Sequence, residues 1–434
     1  PEQIDPKQNK YFSNHSVQFL IESLKELEKS IQGKGGKLYF LYGDTLELLK
    51  KIHKHKKLKS ISFNIDYTPY AQNREKNIEK WCQQEKIILY RKEDYCLYPF
   101  LNGETLKKDK KPYQIYTPFM KHVLKLKPIP VDHFSDYKFE KEDFLKKIEK
   151  NDIHKFYKEN KEINVKGGRK ESLKILSSLG KFKDYDRKRN LLTYRTTCLS
   201  AYLHYTTCSI REVYEAILKH LGKKNGLIRE LIFRDFYMNI VYYFPYVLEG
   251  QLGGKKNKSF RREYDNIQWE KNEKNFQKWK KGETGFPIVD AGMRQMNKTG
   301  YMHNRCRMIV SNFLVKDLHI DWKKGEQYFA RTLEDYDPIN NNSGWQWSTG
   351  NGTDSQPYFR IFNPWTQQKD YDSECLYIKK WIPELESVPI KDIHNWNVSS
   401  KKYKSILYPE PILCHDIERK RSLEIYKNGL QKKS

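Results

Sequence analysis

Apolar positions in the first third of the chain follow two alternating periods. Val17–Ile31 (VQFLIESLKELEKSI) spaces them three and four apart with charges between, which predicts a helix with one buried stripe. Lys37–Tyr42 (KLYFLY) reads as a strand, and LELLKKI after it as a helix. Ser60–Asp66 (SISFNID) predicts a second strand, a helix follows from Tyr70, and Lys86–Tyr90 (KIILY) predicts a third strand. Strands alternating with helices imply a parallel sheet, so residues 1–125 are expected to form an α/β domain. Residues 126–180 mix proline, charged stretches and KGGRK, and read as a connector with one or two short helices. From 181 to 434 long helical periods dominate and strands almost vanish, so an all-α domain is expected there. Seven of the nine tryptophans fall between Trp269 and Trp381.

Composition narrows the classes. A chain of 434 residues with 38% hydrophobic residues can build two or three domains with a sizeable core. It contains no run of 18 apolar residues, and PEQIDPKQNK has no apolar signal core, so a soluble, intracellular protein without a membrane partner is expected. Its seven cysteines are odd in number and form no CxxC pair, which argues against a disulfide framework or a metal site. A net charge of +26 and pI near 9.4 favour a polyanionic partner, nucleic acid first. Lysine-rich, AT-biased coding explains such a charge equally well, so the placement of arginines is the better guide.

From Glu283 the chain runs ETGFPIVDAGMRQMNKTGYMHNRCRMIVSNFLVKDLHIDWKKGEQYF, then LEDYDPINNNSGWQWSTGNGTD, PYFRIFNPWTQQKDYD and WIPEL. These ordered motifs resemble the photolyase/cryptochrome family, from about residue 181 to the end. DYTPYAQNR (Asp66–Arg74) and IYTPFMKHVLK (Ile115–Lys125) extend the likeness more weakly into the α/β half. The subgroup most resembled splits cyclobutane pyrimidine dimers (CPDs) in DNA. The resemblance implies a photolyase fold, bound FAD working in its reduced form FADH⁻, light-driven electron transfer to a flipped dimer, no metal, and a monomer. A second antenna chromophore, folate or deazaflavin, is implied for the α/β half without a choice between them. The family opens on a strand with an arginine-rich motif. This chain starts after it, so a βα unit of roughly 30 residues is expected to be missing from the sheet.

Carried over residue by residue, Tyr185, Thr196, Thr197, Cys198, Leu199 and Ser200 would hold the FAD phosphates, although T-T-x-L-S also reads as an ordinary helix N-cap. Arg307, Asp335 and Asp337 would surround the isoalloxazine ring, where a purely structural Arg–Asp pair is the alternative. Asn341 would face flavin N5, accepting from N5–H without an acidic proton to return. Plant-type cryptochromes tend to place aspartate there. Trp345, Trp322 and Trp269 match the family's electron wire from flavin to surface; simple packing is the alternative for each.

Glu230, Phe233 and Arg234 share a helical face in RELIFRDFY, and Asn304, Arg305, Arg307 and Met308 form a second cluster. The resemblance makes these the receivers of the extruded dimer, with Trp347 stacking on it. Phe233 stands where tryptophan is usual, losing area and an N–H. The (6-4) photolyases carry paired histidines in this neighbourhood, and here only His303 is present. Arg189, Arg305 and Arg360 match phosphate-facing positions, and Gln367 a loop that reaches the duplex; alone, each arginine reads as a solvated charge. The competing functions are a cryptochrome-like light sensor and a basic DNA-binding fragment without activity.

Overall fold

A computed structural model describes residues 4–131, 138–139, 153–252 and 257–431. Helix α1 (Asn14–Gln32) begins where Ser13, in extended conformation, accepts the Ser16 N–H, and it buries Val17, Phe19 and Ile21 as its periodicity requires. Asp44 caps α2 (Thr45–His55) in the same way. Strands β1 (Ser60–Asn64) and β2 (Ile88–Lys92) pair in parallel, Ser60 opposite Ile88 and Asn64 opposite Lys92. The connection is helix α3 (Pro69–Gln84), which lays Ile78, Trp81 and Cys82 against Ile61, Phe63 and Leu89 of the sheet. This is the βαβ unit that the alternating periods predict.

Two expected strands need correction. Residues 37–40 join no ladder, and only Leu41 forms a single bridge. Alternation marks which face of a segment is apolar, but a strand also needs a hydrogen-bonded neighbour. The KIILY strand begins at Ile88 rather than at residue 86, because Lys86 takes a left-handed φ of 57° while closing the turn out of α3. Part of the expected connector, residues 132–137 and 140–152, lies outside the described residues. The described remainder holds a 3-10 turn at Ile153–Phe156, a helix at Arg169–Ser177 and the start of a further 3-10 turn, Leu179–Phe182.

The chain packs as two compact units that do not follow chain order. One contains Pro1–Asn160, Val165–Lys183 and Thr197–Lys256; the other contains Lys161–Asn164, Asp184–Thr196 and Asn257–Ser434. The expected boundaries at 125 and 181 therefore differ from the packing. The reason lies in α4 (Tyr116–Val123), α5 (Ile210–Leu221) and α6 (Gly226–Tyr243). Asp235 of α6 is fully buried and accepts from the backbone N–H groups of Leu97 at 2.9 Å and Tyr98 at 3.0 Å. Phe119 of α4 packs on Phe236 of α6 at 5.5 Å between ring centroids. Burial pushes the Asp235 carboxyl up to about 7 against these hydrogen bonds.

The second unit is helical. Its main helices are α7 (Pro287–Thr299), α8 (Asn304–Lys316), α9 (Trp322–Thr332), α10 (Pro338–Thr349) and α11 (His415–Gln431). Trp279, Phe286, Phe313, Trp322, Trp345 and Trp396 belong to one hydrophobic cluster at its centre. Helix α11 is held by two histidine–carboxylate pairs, His415 to Asp317 at 2.5 Å and His319 to Glu418 at 2.7 Å. Among the described residues no helix is long and apolar enough to cross a membrane, and no three His, Cys, Asp or Glu side chains gather as metal ligands.

Candidate functional site

In the helical unit, α8 and the loop before α10 bring Arg307 and Asp335 together. The guanidinium Nη2 donates to both Asp335 carboxylate oxygens at 3.0 and 2.9 Å, and Nε donates to the Met302 carbonyl at 2.8 Å. Burial opposes the Arg307 charge, but Asp335 and Tyr301 outweigh it and hold the group above its ordinary value. A fixed cation therefore stands here at every accessible pH. Asp337 follows two residues after Asp335. It is the N-cap of α10, its Oδ1 accepting from Ile339 and Asn340 N–H at 2.9 Å each.

Asn341 follows one turn into α10. Its Nδ2 donates to the Glu326 carbonyl at 3.1 Å and to Glu326 Oε1 at 3.3 Å, which leaves Oδ1 as the acceptor. Glu326 was not legible in the sequence as a site residue. It is 1% exposed, and burial pushes its carboxyl up to about 8, with the Asn341 hydrogen bond only partly opposing. A neutral acid thus lies directly behind the amide. Two further buried donors nearby in sequence, Asn342 Nδ2 and Trp345 Nε1, meet no acceptor among the described residues. Unpaired buried donors are costly, and a bound acceptor-rich group would satisfy them. The residues present suit FAD: a cation, a carboxylate, an amide oxygen and two unspent N–H groups.

Helix α9 ties this amide to the tryptophans. Trp322 opens the helix, Gly325 follows one turn later, and Glu326 reaches Asn341. A Cβ on Gly325 would lie 2.1 Å from Trp345 Cη2, so the indole rests directly on the helix backbone. Trp345 and Trp322 are 2% and 1% exposed, whereas Trp269 is partly buried at the rim of the cluster. Trp269 meets the Tyr426 ring at 5.9 Å. Two of the three indoles are thus buried and the third lies at the margin of the cluster.

Thr196 approaches the Tyr301 hydroxyl, Oγ1 to Oη 3.3 Å, and Tyr185 is buried in the same unit. In the other unit, Thr197 is half-buried, Cys198 and Leu199 are buried, and Ser200 is exposed. Cys198 takes φ 52°, and Leu199 is the N-cap of the five-residue helix Ser200–His204 with no side-chain cap. The ordinary N-cap explanation of T-T-x-L-S therefore fails, because no hydroxyl occupies the capping position.

Arg305 lies half-buried on α8, donating to Asn190 Oδ1 at 2.9 Å and packing over the Tyr371 ring at 4.4 Å. Burial holds it below its ordinary value; Tyr371 opposes that, and the charges of Arg189 and Arg360 add to it. Arg189 and Arg360 thus both lie within electrostatic reach of Arg305. Gln367 is half-buried on the helix Pro364–Tyr371. Asn304 is exposed, Met308 and Trp347 are half-buried, and buried His303 caps α8 through Nδ1. Burial, reinforced by Arg307 and Arg305, lowers His303 to about 4, so its ring is neutral.

On α6, Glu230 is exposed and Phe233 half-buried, one turn apart on one face. Arg234 departs from its expected role. Its guanidinium stacks over the Tyr95 ring at 3.9 Å and donates to the Tyr95 carbonyl, so it braces the loop before Leu97.

Residues 3–135 match the DNA photolyase family, and residues 227–428 match the FAD-binding domain of DNA photolyase. A deoxyribodipyrimidine photo-lyase of Alkalihalophilus pseudofirmus is 34% identical over 98% of this chain and 90% of its own length. Among solved structures, the archaeal photolyase from Sulfolobus tokodaii with two FAD molecules superimposes with a TM-score of 0.85 at 36% identity, covering 99% of this chain and 91% of that one. The cryptochrome of Synechocystis sp. PCC6803 gives 0.80 at 25% identity, covering 95% and 89%.

Proposed function

Because the chain belongs to the photolyase/cryptochrome family, we propose that it is a deoxyribodipyrimidine photo-lyase, repairing cyclobutane pyrimidine dimers in DNA with light and FAD. The observation that carries this is the Asn341 amide, its nitrogen committed to Glu326 and its oxygen left to accept. Such an acceptor favours a protonated ring nitrogen and provides no acid in contact with it. When bound, reduced FAD supplies the photoexcited electron that opens the cyclobutane ring.

The chain's own residues do the remaining work. Arg307 supplies a permanent cation and Asp335 fixes its orientation, which suits an anionic reduced flavin. Glu326, neutral up to about pH 8, keeps the Asn341 amide turned without introducing a buried charge. Trp269, Trp322 and Trp345 carry an electron inward from the surface. Asn304 hydrogen-bonds the pyrimidine edges, while Met308 and Trp347 give the dimer apolar contacts; Glu230 and Phe233 are assigned to the lesion by the family resemblance alone. Asp337, Tyr185 and Thr196 support the cofactor, and the family resemblance alone adds Thr197, Cys198, Leu199 and Ser200. A second antenna chromophore in the α/β half remains part of the reading.

Arg189, Arg305 and Arg360 neutralise backbone phosphates, and Gln367 approaches the duplex. Arg360→Ala is expected to weaken dimer-containing and intact DNA alike and to lower the salt slope of binding by about 1. A titration of affinity against salt checks this; an unchanged slope removes Arg360 from the phosphate set.

The deciding experiment is blue-light repair of an oligonucleotide carrying one dimer. Restored thymines support the reading. A protein that binds FAD and responds to light but leaves the dimer intact would be a light sensor, and one without flavin would be neither.

A further inference from the structure

Tyr116 opens α4, and its ring lies against Phe233 of α6, 4.1 Å between centroids at 36°. The Tyr116 hydroxyl donates to the Arg229 carbonyl at 2.7 Å, one helical turn before Phe233. The ring is thus pinned at both ends along the first two turns of α6. Phe236, fully buried, backs Tyr116 at 5.9 Å, and Tyr237 stands edge-on to Phe233 at 5.0 Å. Both front rings are only half-buried, and exposed Glu230 lies between Arg229 and Phe233 on the same turn.

Core packing accounts for Phe236 but not for two braced rings left half open beside a carboxylate. A rigid, solvent-facing aromatic pair next to a hydrogen-bonding group is suited to a flat heterocycle: stacking needs area, and the polar neighbour reads the edge. Phe233 alone presents one small ring. With centroids 4.1 Å apart, Tyr116 overlaps one face of Phe233 and stiffens it into a wall two rings thick, and its tether to Arg229 removes the rotational freedom that stacking would otherwise have to overcome.

We propose that Tyr116 is a specificity-determining residue, forming with Phe233 a two-ring wall on which the extruded pyrimidine dimer rests. The inference rests on the repair function proposed above. It concerns discrimination between damaged and intact DNA, to which the phosphate-facing arginines contribute nothing because every duplex carries phosphates.

The test measures affinity of the FAD-loaded full chain for a duplex with one dimer and for the same duplex undamaged. Tyr116→Leu keeps bulk without a π face, and Tyr116→Ala removes both. Each is expected to weaken the damaged duplex by about 2- to 10-fold, the range for one aromatic contact, with undamaged affinity and flavin absorbance unchanged. Tyr116→Phe, which loses only the tether, should fall between these and wild type. Equal losses on both duplexes, or wild-type discrimination in a flavin-loaded Tyr116→Leu, would overturn the proposal while dimer repair by the wild type still stood. Failure of the wild type to distinguish the two duplexes would instead bring down the repair reading, and this inference with it.

Discussion

Protein carrying Trp345→Phe will bind flavin yet stay oxidised under blue light with an external reductant, whereas the same protein reduced chemically beforehand will repair dimers at the wild-type rate. Trp345 is the indole nearest the Asn341 amide in sequence, four residues on along α10. It is buried against Gly325, with Phe329 at 5.0 Å and Trp279 at 6.2 Å between ring centroids. Phenylalanine keeps an aromatic ring in that slot, so the structural cost stays below the roughly 3–5 kcal/mol of truncating a buried aromatic to alanine. What it removes is a ring that can be oxidised readily. Absorbance followed during illumination distinguishes the cases. Photoreduction at the wild-type rate would show that Trp345 packs and does not conduct.

Glu326→Gln will flatten the dependence of stability on pH between about 4.5 and 8. The folded protein holds this carboxyl at about 8 against an ordinary 4.5, chiefly through burial. A raised carboxyl means the folded state binds its proton more tightly than the unfolded chain does. Its stabilisation is therefore complete below the unfolded value and is lost as pH rises through the window. For one group the slope is at most about 1.4 kcal/mol per pH unit. Glutamine is neutral throughout and retains an oxygen for the Asn341 Nδ2, so the amide should keep its orientation. Asp235 and Asp317, held near 7 and 6 by burial, add slopes of the same sign in both proteins and cancel in the comparison. Denaturant unfolding of wild type and variant across the window provides the measurement. Parallel curves would locate the titration elsewhere.

The parts of the fold readable in advance were those set by local chemistry. Helices α1 to α3 combine a clear apolar stripe with Ser13, Asp44 or Thr68 at the capping position, so period and punctuation agree. The segment at 37–42 has the alternation of a strand, yet whether it pairs depends on a neighbour that its own residues do not encode. The same limit explains α6. Its apolar residues run nearly all round, which signals burial without saying against what, and Asp235 has no local mark of its bonds to Leu97 and Tyr98.

At the site, Arg307 and Asp335 were identified by motif and do form a pair. Arg234 was legible as a helical neighbour of Glu230 and Phe233 expected to face DNA, but its stacking on Tyr95 arises from a residue 139 positions away. Glu326 in KKGEQYF looks like any helical glutamate. Only the fold reveals that its side of α9 faces Asn341, although its place one turn after Trp322 was a signal available to a reading by helical face.

If the relay operates as proposed, Gly325 couples the redox behaviour of the protein to a position that carries neither charge nor reactive group. Conduction between rings falls steeply with separation, and the Trp345 ring is seated where any side chain would displace it. One added methyl would detune the relay with every tryptophan still in place. Descendants of this chain can therefore lose light-driven activation, while keeping dark-reduced chemistry, by drift at a site that no inventory of reactive residues would flag.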